Sequence, residues 1–216
     1  MDVDVDTLKF CFPPQYELVK YDECDSFNKL SSAFQMPCEC IRCPSRTCPR
    51  EKCKKINTCH RHKTNEGLKG VDILATDGTI LYLIESKDYR RIDKPPTDHI
   101  VMEVAKKFRD SLFGVWCGSF CESDASKLIF FDNIRRKKLV LKFYFHFESP
   151  STPYPSGFFR ASGSNGGVKS KTVPLTTVLY RLKQKMGPMG DYVFVGDMDK
   201  IRQDPASCEW RVKEKI

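Results

Sequence analysis

No apolar run in the sequence approaches the length needed to cross a membrane, and the opening MDVDVD is acidic where an export leader would be basic. The expectation from both is an intracellular protein with no membrane association, cytoplasmic or nuclear. A glycine-rich phosphate loop, a serine or cysteine nucleophile motif and an internal repeat are also missing. Chemistry built on a phosphate cradle or an acyl-enzyme therefore has no footing here, and neither does a solenoid.

Cysteine, by contrast, is plentiful. Eleven thiols in a chain expected to be intracellular argue for metal ligation over disulfides. With 216 residues, 40% hydrophobic and 30% charged, the chain suits one globular domain with a sizeable core.

The most informative stretch is Gly70 to Tyr89, GVDILATDGTILYLIESKDY. Two apolar runs, Val71 to Thr76 and Thr79 to Ser86, flank Asp77-Gly78, a strong hairpin signal. A two-residue turn predicts Thr76 opposite Thr79, Leu74 opposite Leu81, and Asp72 opposite Leu83. Side chains alternate along a strand, so Asp72, Glu85 and Lys87 fall on one face, with Glu85 diagonal to Asp72. Leu74, Leu81 and Leu83 share that face, and Ile73, Ala75, Ile80, Tyr82 and Ile84 form the other. Both sides are then buried, as in a sheet covered by helices, where two acids and a lysine are costly unless paired or bound to metal. An ordinary cross-strand charge pair between Glu85 and Lys87 is the plain alternative.

A hairpin carrying Asp and then Glu-x-Lys, here GVD at 70–72 and ESK at 85–87, resembles the core motif of the PD-(D/E)xK nuclease superfamily. The resemblance covers about twenty residues, with Val71 standing where the name-giving proline would be. It implies a restriction-endonuclease-like α/β fold, a mixed central sheet flanked by helices. It also implies Mg²⁺ (or Mn²⁺) held by Asp72, Glu85 and the main-chain carbonyl of Ser86, with Lys87 orienting or polarising the attacking water. Asp72, Glu85 and Lys87 would be the catalytic set. Hard carboxylate oxygens suit that ion, and a metal-bound water is a better nucleophile at neutral pH. The superfamily often adds an acid from an earlier helix, for which Glu17, Glu23 and Asp25 are candidates.

The second informative stretch, PCECIRCPSRTCPREKCKKINTCHRH, runs from Pro37 to His62. Cys38, Cys40, Cys43, Cys48, Cys53 and Cys59 with His60 and His62 supply six thiols and two imidazoles, enough for one or two structural zinc ions. Ile41 and Ile56 are almost its only apolar residues, so metal would supply its folding energy. Which ligands share an ion is open, as are an iron–sulfur cluster, a disulfide knot and free thiols. From Gln35 to Asn65, Arg42, Arg46, Arg50, Lys52, Lys54, Lys55, Arg61 and Lys63 stand against Glu39 and Glu51, a net of +6 in a chain of +8. Such a basic segment is a candidate nucleic-acid grip, or charge that keeps a zinc module soluble. Cys11, Cys24, Cys117, Cys121 and Cys208 are scattered and read as buried thiols.

Elsewhere the periodicity predicts a helix from about Asp25 to Phe34 with Phe27, Leu30 and Phe34 inward, and one from Thr97 or Asp98 to about Leu112. On the latter, Val101, Val104, Ala105, Phe108 and Leu112 face inward while Glu103, Lys106, Lys107 and Arg109 form a solvated face. Strands follow at Lys127–Phe131 and Leu139–Phe147, with His146 outward and of small weight as a base. Ser149 to Lys171, rich in Ser, Gly and Pro, reads as a flexible loop, in which Phe158, Phe159 and Arg160 could stack on bases. A helix opened by Pro174 and closed by Gly187-Pro188 precedes a strand at Tyr192–Val195.

These elements give one PD-(D/E)xK-like domain over 1–216, with the zinc-binding insertion at 37–63 and the flexible loop at 149–171. Two functional classes compete. One is a Mg²⁺-dependent phosphodiesterase acting on nucleic acid, DNA ahead of RNA, alone or as a homodimer or larger complex. The other is a non-catalytic zinc module on a nuclease-like fold that binds nucleic acid or protein.

Overall fold

An apolar run without regular polar alternation needs cover on both faces, and Ile80–Asp88 is such a run. The computed structural model of the chain places it at the centre of a five-stranded sheet and describes residues 1–34, 67–90, 99–148, 175–199 and 209–215. The elements are β1 (Asp2–Val5), β2 (Leu8–Cys11), β3 (Glu17–Lys20), α1 (Asp25–Phe34), β4 (Ile73–Thr76), β5 (Ile80–Asp88), α2 (His99–Cys121), α3 (Ala125–Arg136), β6 (Val140–Glu148), α4 (Leu175–Met186), β7 (Val193–Gly196) and β8 (Arg211–Glu214). A 3₁₀ turn, Gly187–Tyr192, follows α4. The protein is of the mixed α/β kind.

In the larger sheet the order is β3-β4-β5-β6-β7. β3, β4 and β5 run antiparallel to one another, whereas β5, β6 and β7 are parallel. Parallel neighbours require crossovers, supplied by α2 and α3 between β5 and β6 and by α4 between β6 and β7. The helices gather on one face. There Leu74, Leu81, Leu83, Phe143, Phe145 and Phe147 meet Phe27 of α1, Val104 and Phe108 of α2, Phe131 of α3 and Leu182 of α4.

The other face departs from the expectation of helices on both sides. Ile73, Ala75, Tyr82 and Ile84 pack on an antiparallel three-stranded sheet, β1-β2-β8, through Leu8, Phe10 and Val212. Trp210 is the pin of this second core, edge-on to Tyr16, Tyr82 and Tyr144 and tilted against Phe12. Its strands, of four residues each, are too short for their alternation to stand out from background in the sequence.

Other expectations also yield. Lys127–Phe131 is helical, within α3. Asp124 caps that helix by accepting from the Ser126 and Lys127 amides, and Phe130, Phe131 and Ile134 form its buried side. A short apolar run fits either state, and the cap decides it. α2 continues nine residues past Leu112, where Gly114 lets α1 approach. A Cβ there would come within 2.1 Å of the Tyr21 hydroxyl and 3.1 Å of the Phe27 ring.

The hairpin register is displaced by two residues. Thr76 pairs with Leu81, Ala75 with Tyr82, Leu74 with Leu83 and Ile73 with Ile84, in place of the pairs a two-residue turn dictates. Asp77 causes this. Its Oδ1 accepts from the Thr79 and Ile80 amides and the Thr79 hydroxyl, while Gly78, at φ +90°, donates to Thr76 Oγ1. The local bonds hold a longer loop open. A shift of two leaves every side chain on its expected face.

Candidate active site

One further step of this register sets Asp72, just ahead of β4, against Glu85 of β5. In register the two residues are thus opposite each other and not diagonal, and their carboxylates share the Lys107 ammonium. The backbone before β4 is pinned to α2, since the Val71 amide donates to Ser111 Oγ at 2.9 Å and the Lys69 amide to Asp110 Oδ2 at 2.9 Å. The Tyr21 amide donates to the Asp72 carbonyl at 2.9 Å, and the Ser86 amide donates to Asp72 Oδ2 at 2.7 Å. Asp72 is therefore held from β3, β5 and α2 at once.

Glu85 is fully buried. Burial raises its pKa to about 7, Asp72 adds to the rise, and the ammonium groups of Lys107 and Lys87 partly offset it. Lys87 Nζ lies 3.2 Å from Glu85 Oε1, with its side chain 27% exposed. Burial alone would lower the Lys87 pKa, but Glu85 and then Asp72 outweigh it and raise it. The residue stays cationic at neutral pH. Asp72, Glu85 and Lys87 thus meet at one strand end as their spacing predicts.

Lys107 was expected on the solvated face of α2 and is a correction. Its ammonium lies 2.8 Å from Glu85, to whose Oε2 it donates, and 3.5 Å from Asp72 Oδ1, with the side chain 13% exposed. Its neighbours at helical spacing, Val104 and Ser111, are buried, so the position borders the inward stripe. Of the other three, Lys106 pairs with Asp110 and the Gly67 carbonyl, Arg109 donates from Nε to the Ala105 carbonyl at 3.2 Å, and Glu103 is half-buried and close enough to raise the Lys87 pKa.

None of Glu17, Glu23 and Asp25 is brought to the acid pair. Glu17 is level with Thr76 at the far end of the hairpin, Glu23 pairs with Lys20 at 2.5 Å, and Asp25 is exposed at the start of α1. Asp22 is the acid within electrostatic reach. Partial burial and then Asp72 raise its pKa, while Lys20 and Lys107 act against the rise.

His146 lies on the opposite face of the sheet, under β2, 2.8 Å from Glu148 Oε1 and edge-on to Phe10. It has no access to the acid pair. Cys24 is buried, and burial pushes its thiol up to about 12, whereas Cys11 and Cys117 are half-buried. Cys38, Cys40, Cys43, Cys48, Cys53, Cys59, His60 and His62 lie outside the described residues. So do the eight basic residues from Arg42 to Lys63, Cys208 and the 149–171 segment.

The donor set suits a hard divalent cation. Two carboxylates share one face, and Glu85 Oε1 is held by cations, the ammonium groups of Lys107 at 2.8 Å and Lys87 at 3.2 Å. No cluster of three or more His, Cys, Asp or Glu stands ready for a metal among those residues, so water and the Ser86 carbonyl would have to complete a shell.

No protein-family model matches the chain. It is similar to a cysteine–tRNA ligase of Neisseria meningitidis, 32% identical over 173 aligned residues that take in 69% of this chain and 22% of the ligase. The chain thus spans about a fifth of the length of that curated relative. No solved structure matches it. Among the described residues no helix is long and apolar enough to cross a membrane.

Proposed function

We propose that the chain is a metal-dependent nuclease with a restriction-endonuclease-like domain, hydrolysing phosphodiester bonds in nucleic acid, DNA ahead of RNA. The observation that carries this reading is the convergence of Asp72, Glu85 and Lys87 on one face at one strand end, with both carboxylates buried. Two carboxylates in a sheet interior are costly unless a cation neutralises them or one of them keeps its proton, and a divalent ion is one such cation.

Asp72, Glu85 and the Ser86 carbonyl would hold a Mg²⁺ or Mn²⁺ ion, which when bound supplies Lewis acidity and a more acidic water. Within the protein, the Ser86 amide fixes one Asp72 oxygen, Oδ2, and the other, Oδ1, lies 3.5 Å from the Lys107 ammonium. Lys87, cationic and anchored on Glu85, is a donor to a nucleophilic water or phosphoryl oxygen and not a general base. Glu85, with a pKa near neutrality, must give up its proton before it can serve as a ligand. The basic segment from Arg42 to Lys63 would hold the phosphate backbone, and one or two zinc ions would staple its cysteines and histidines. An intracellular site of action, in cytoplasm or nucleus, belongs to the same reading.

The direct test is incubation of the pure protein with labelled single- and double-stranded DNA and RNA, with Mg²⁺, Mn²⁺ or EDTA. RNA belongs in the panel because the relative's name is that of an enzyme acting on tRNA. Cleavage that needs the divalent ion and is lost in Asp72→Ala supports the reading; cleavage retained in that variant, or absent with every substrate, overturns it. The second reading, a non-catalytic binding module, is favoured by one feature: Lys107 already neutralises the acid pair from within the protein. Binding of nucleic acid without turnover would decide for it.

A further inference from the structure

Three charged side chains converge on the two carboxylates, Lys87 from the hairpin itself and Lys107 and Asp22 from outside it, and only Lys87 is part of the expected motif. Lys107 reaches in from α2 with its ammonium 2.8 Å from Glu85 and 3.5 Å from Asp72 Oδ1. It bridges the two acids as a small cation would. Asp22 lies within electrostatic reach of the same ammonium.

We propose that Lys107 is a tethered cation that occupies the seat of the divalent ion and must be expelled before the ion can bind. The proposal rests on the reading of Asp72 and Glu85 as metal ligands. Charge counting supports it. With both acids ionised, Lys87 and Lys107 bring the group to zero, and a divalent ion added to that set would leave two unbalanced positive charges in a buried site. Expulsion of Lys107 halves the excess.

The fold also offers the expelled side chain a place to go. Glu103 sits four residues earlier on α2, half-buried, and an acid one turn N-terminal to a lysine is the favourable order for a helical ion pair. Asp22, exposed and within electrostatic reach of the Lys107 ammonium, is a second acceptor. Lysine suits such an exchange because its point charge rides on a flexible four-carbon stem. Lys107 is in this sense a positioning residue: it neutralises two buried acids and holds them ready in the metal-free protein, at the expense of metal affinity.

The test is Mn²⁺ binding to the full chain, read from the loss of the free-ion electron paramagnetic resonance signal, in wild type, Lys107→Met and the double variant Lys107→Met/Glu85→Gln. Lys107→Met is expected to bind Mn²⁺ about tenfold or more tightly than wild type, about 1.4 kcal/mol or more, with this site lost in the double variant. Equal or weaker binding by Lys107→Met, with wild type still binding, overturns the displacement and leaves the metal site standing. No binding in either overturns both the displacement and the nuclease reading. Should Lys107→Met not fold, wild type alone decides by acetic anhydride labelling and mass spectrometry. Mn²⁺ should raise modification of Lys107 several-fold relative to Lys9 on the far sheet, whereas unchanged or diminished labelling overturns the proposal.

Discussion

Glu85 is a buried acid whose protonation should be visible as a pH dependence of stability. Its pKa in the folded protein is raised to about 7, burial being the main cause and Asp72 the second, against an ordinary glutamate value of about 4.3. When the folded pKa lies above the unfolded one, the folded state holds the proton more tightly. Its contribution is then fully present below the unfolded pKa and lost as pH rises through about 7. Over that span, from about pH 5 to about pH 8, integration gives a loss of roughly 2 to 3 kcal/mol. Other carboxylates titrate over the same range, so the informative quantity is the difference between wild type and Glu85→Gln. Urea denaturation in EDTA at the two pH values should show that difference moving in favour of the glutamine variant by roughly 2 to 3 kcal/mol at the higher pH. A pH-independent difference, or movement the other way, would refute the assignment of Glu85 as a carboxyl desolvated in the metal-free protein.

Asp72→Ala should abolish divalent-dependent cleavage while the circular dichroism spectrum stays that of wild type, since the change empties the ion site and touches neither core. Lys87→Ala should bind nucleic acid with unchanged affinity in a mobility-shift assay and lose turnover; a wild-type rate would remove Lys87 from the mechanism. Elemental analysis of protein purified under reducing conditions should give about one to two zinc ions per chain, four ligands to each ion, and iron with visible absorption would refute zinc. Replacing Arg46, Arg50, Lys52 and Lys54 with glutamine should weaken nucleic-acid binding evenly across sequences and flatten its logarithmic salt dependence by about one unit per lost contact. Trp210→Ala should cost about 3 to 5 kcal/mol in the same urea assay, because the ring fills the centre of the second core among Phe12, Tyr16, Tyr82 and Tyr144.

What could be read from the residues follows the length of each periodic signal. The stripe Val101, Val104, Ala105, Phe108 located α2, and the alternation Phe143, Phe145, Phe147 located β6 with its inward face correct. Four-residue strands carry two inward side chains each, which chance supplies easily, so β1, β2 and β8 and the layer they form stayed hidden. With those strands unmarked, a central sheet apolar on both faces reads as covered by helices on each side, where one side is covered by a second sheet. At Lys127–Phe131 the apolar run outweighed Asp124, although that aspartate two residues before Ser126 was the legible sign of a helix start.

At the site, the sequence pattern was strongest where it depended on parity and weakest where it depended on register or on a second element. Asp77 lengthened the turn, yet the faces survived because a shift of two preserves them, and the acids came closer together for it. Lys107 obeys a different logic. A lysine beside an inward stripe reads as solvated until something buried needs its charge, and the need here arises from Glu85, 22 residues earlier on another element. Neither residue signals the other along the chain. Once the two acids share one buried face, however, electrostatics favours a cation beside them wherever both are ionised, and α2 passes close enough to supply one. The same demand would draw in a divalent ion, so in the proposed nuclease one buried acid pair is contested by two cations, one tethered to the chain and one arriving with the reaction.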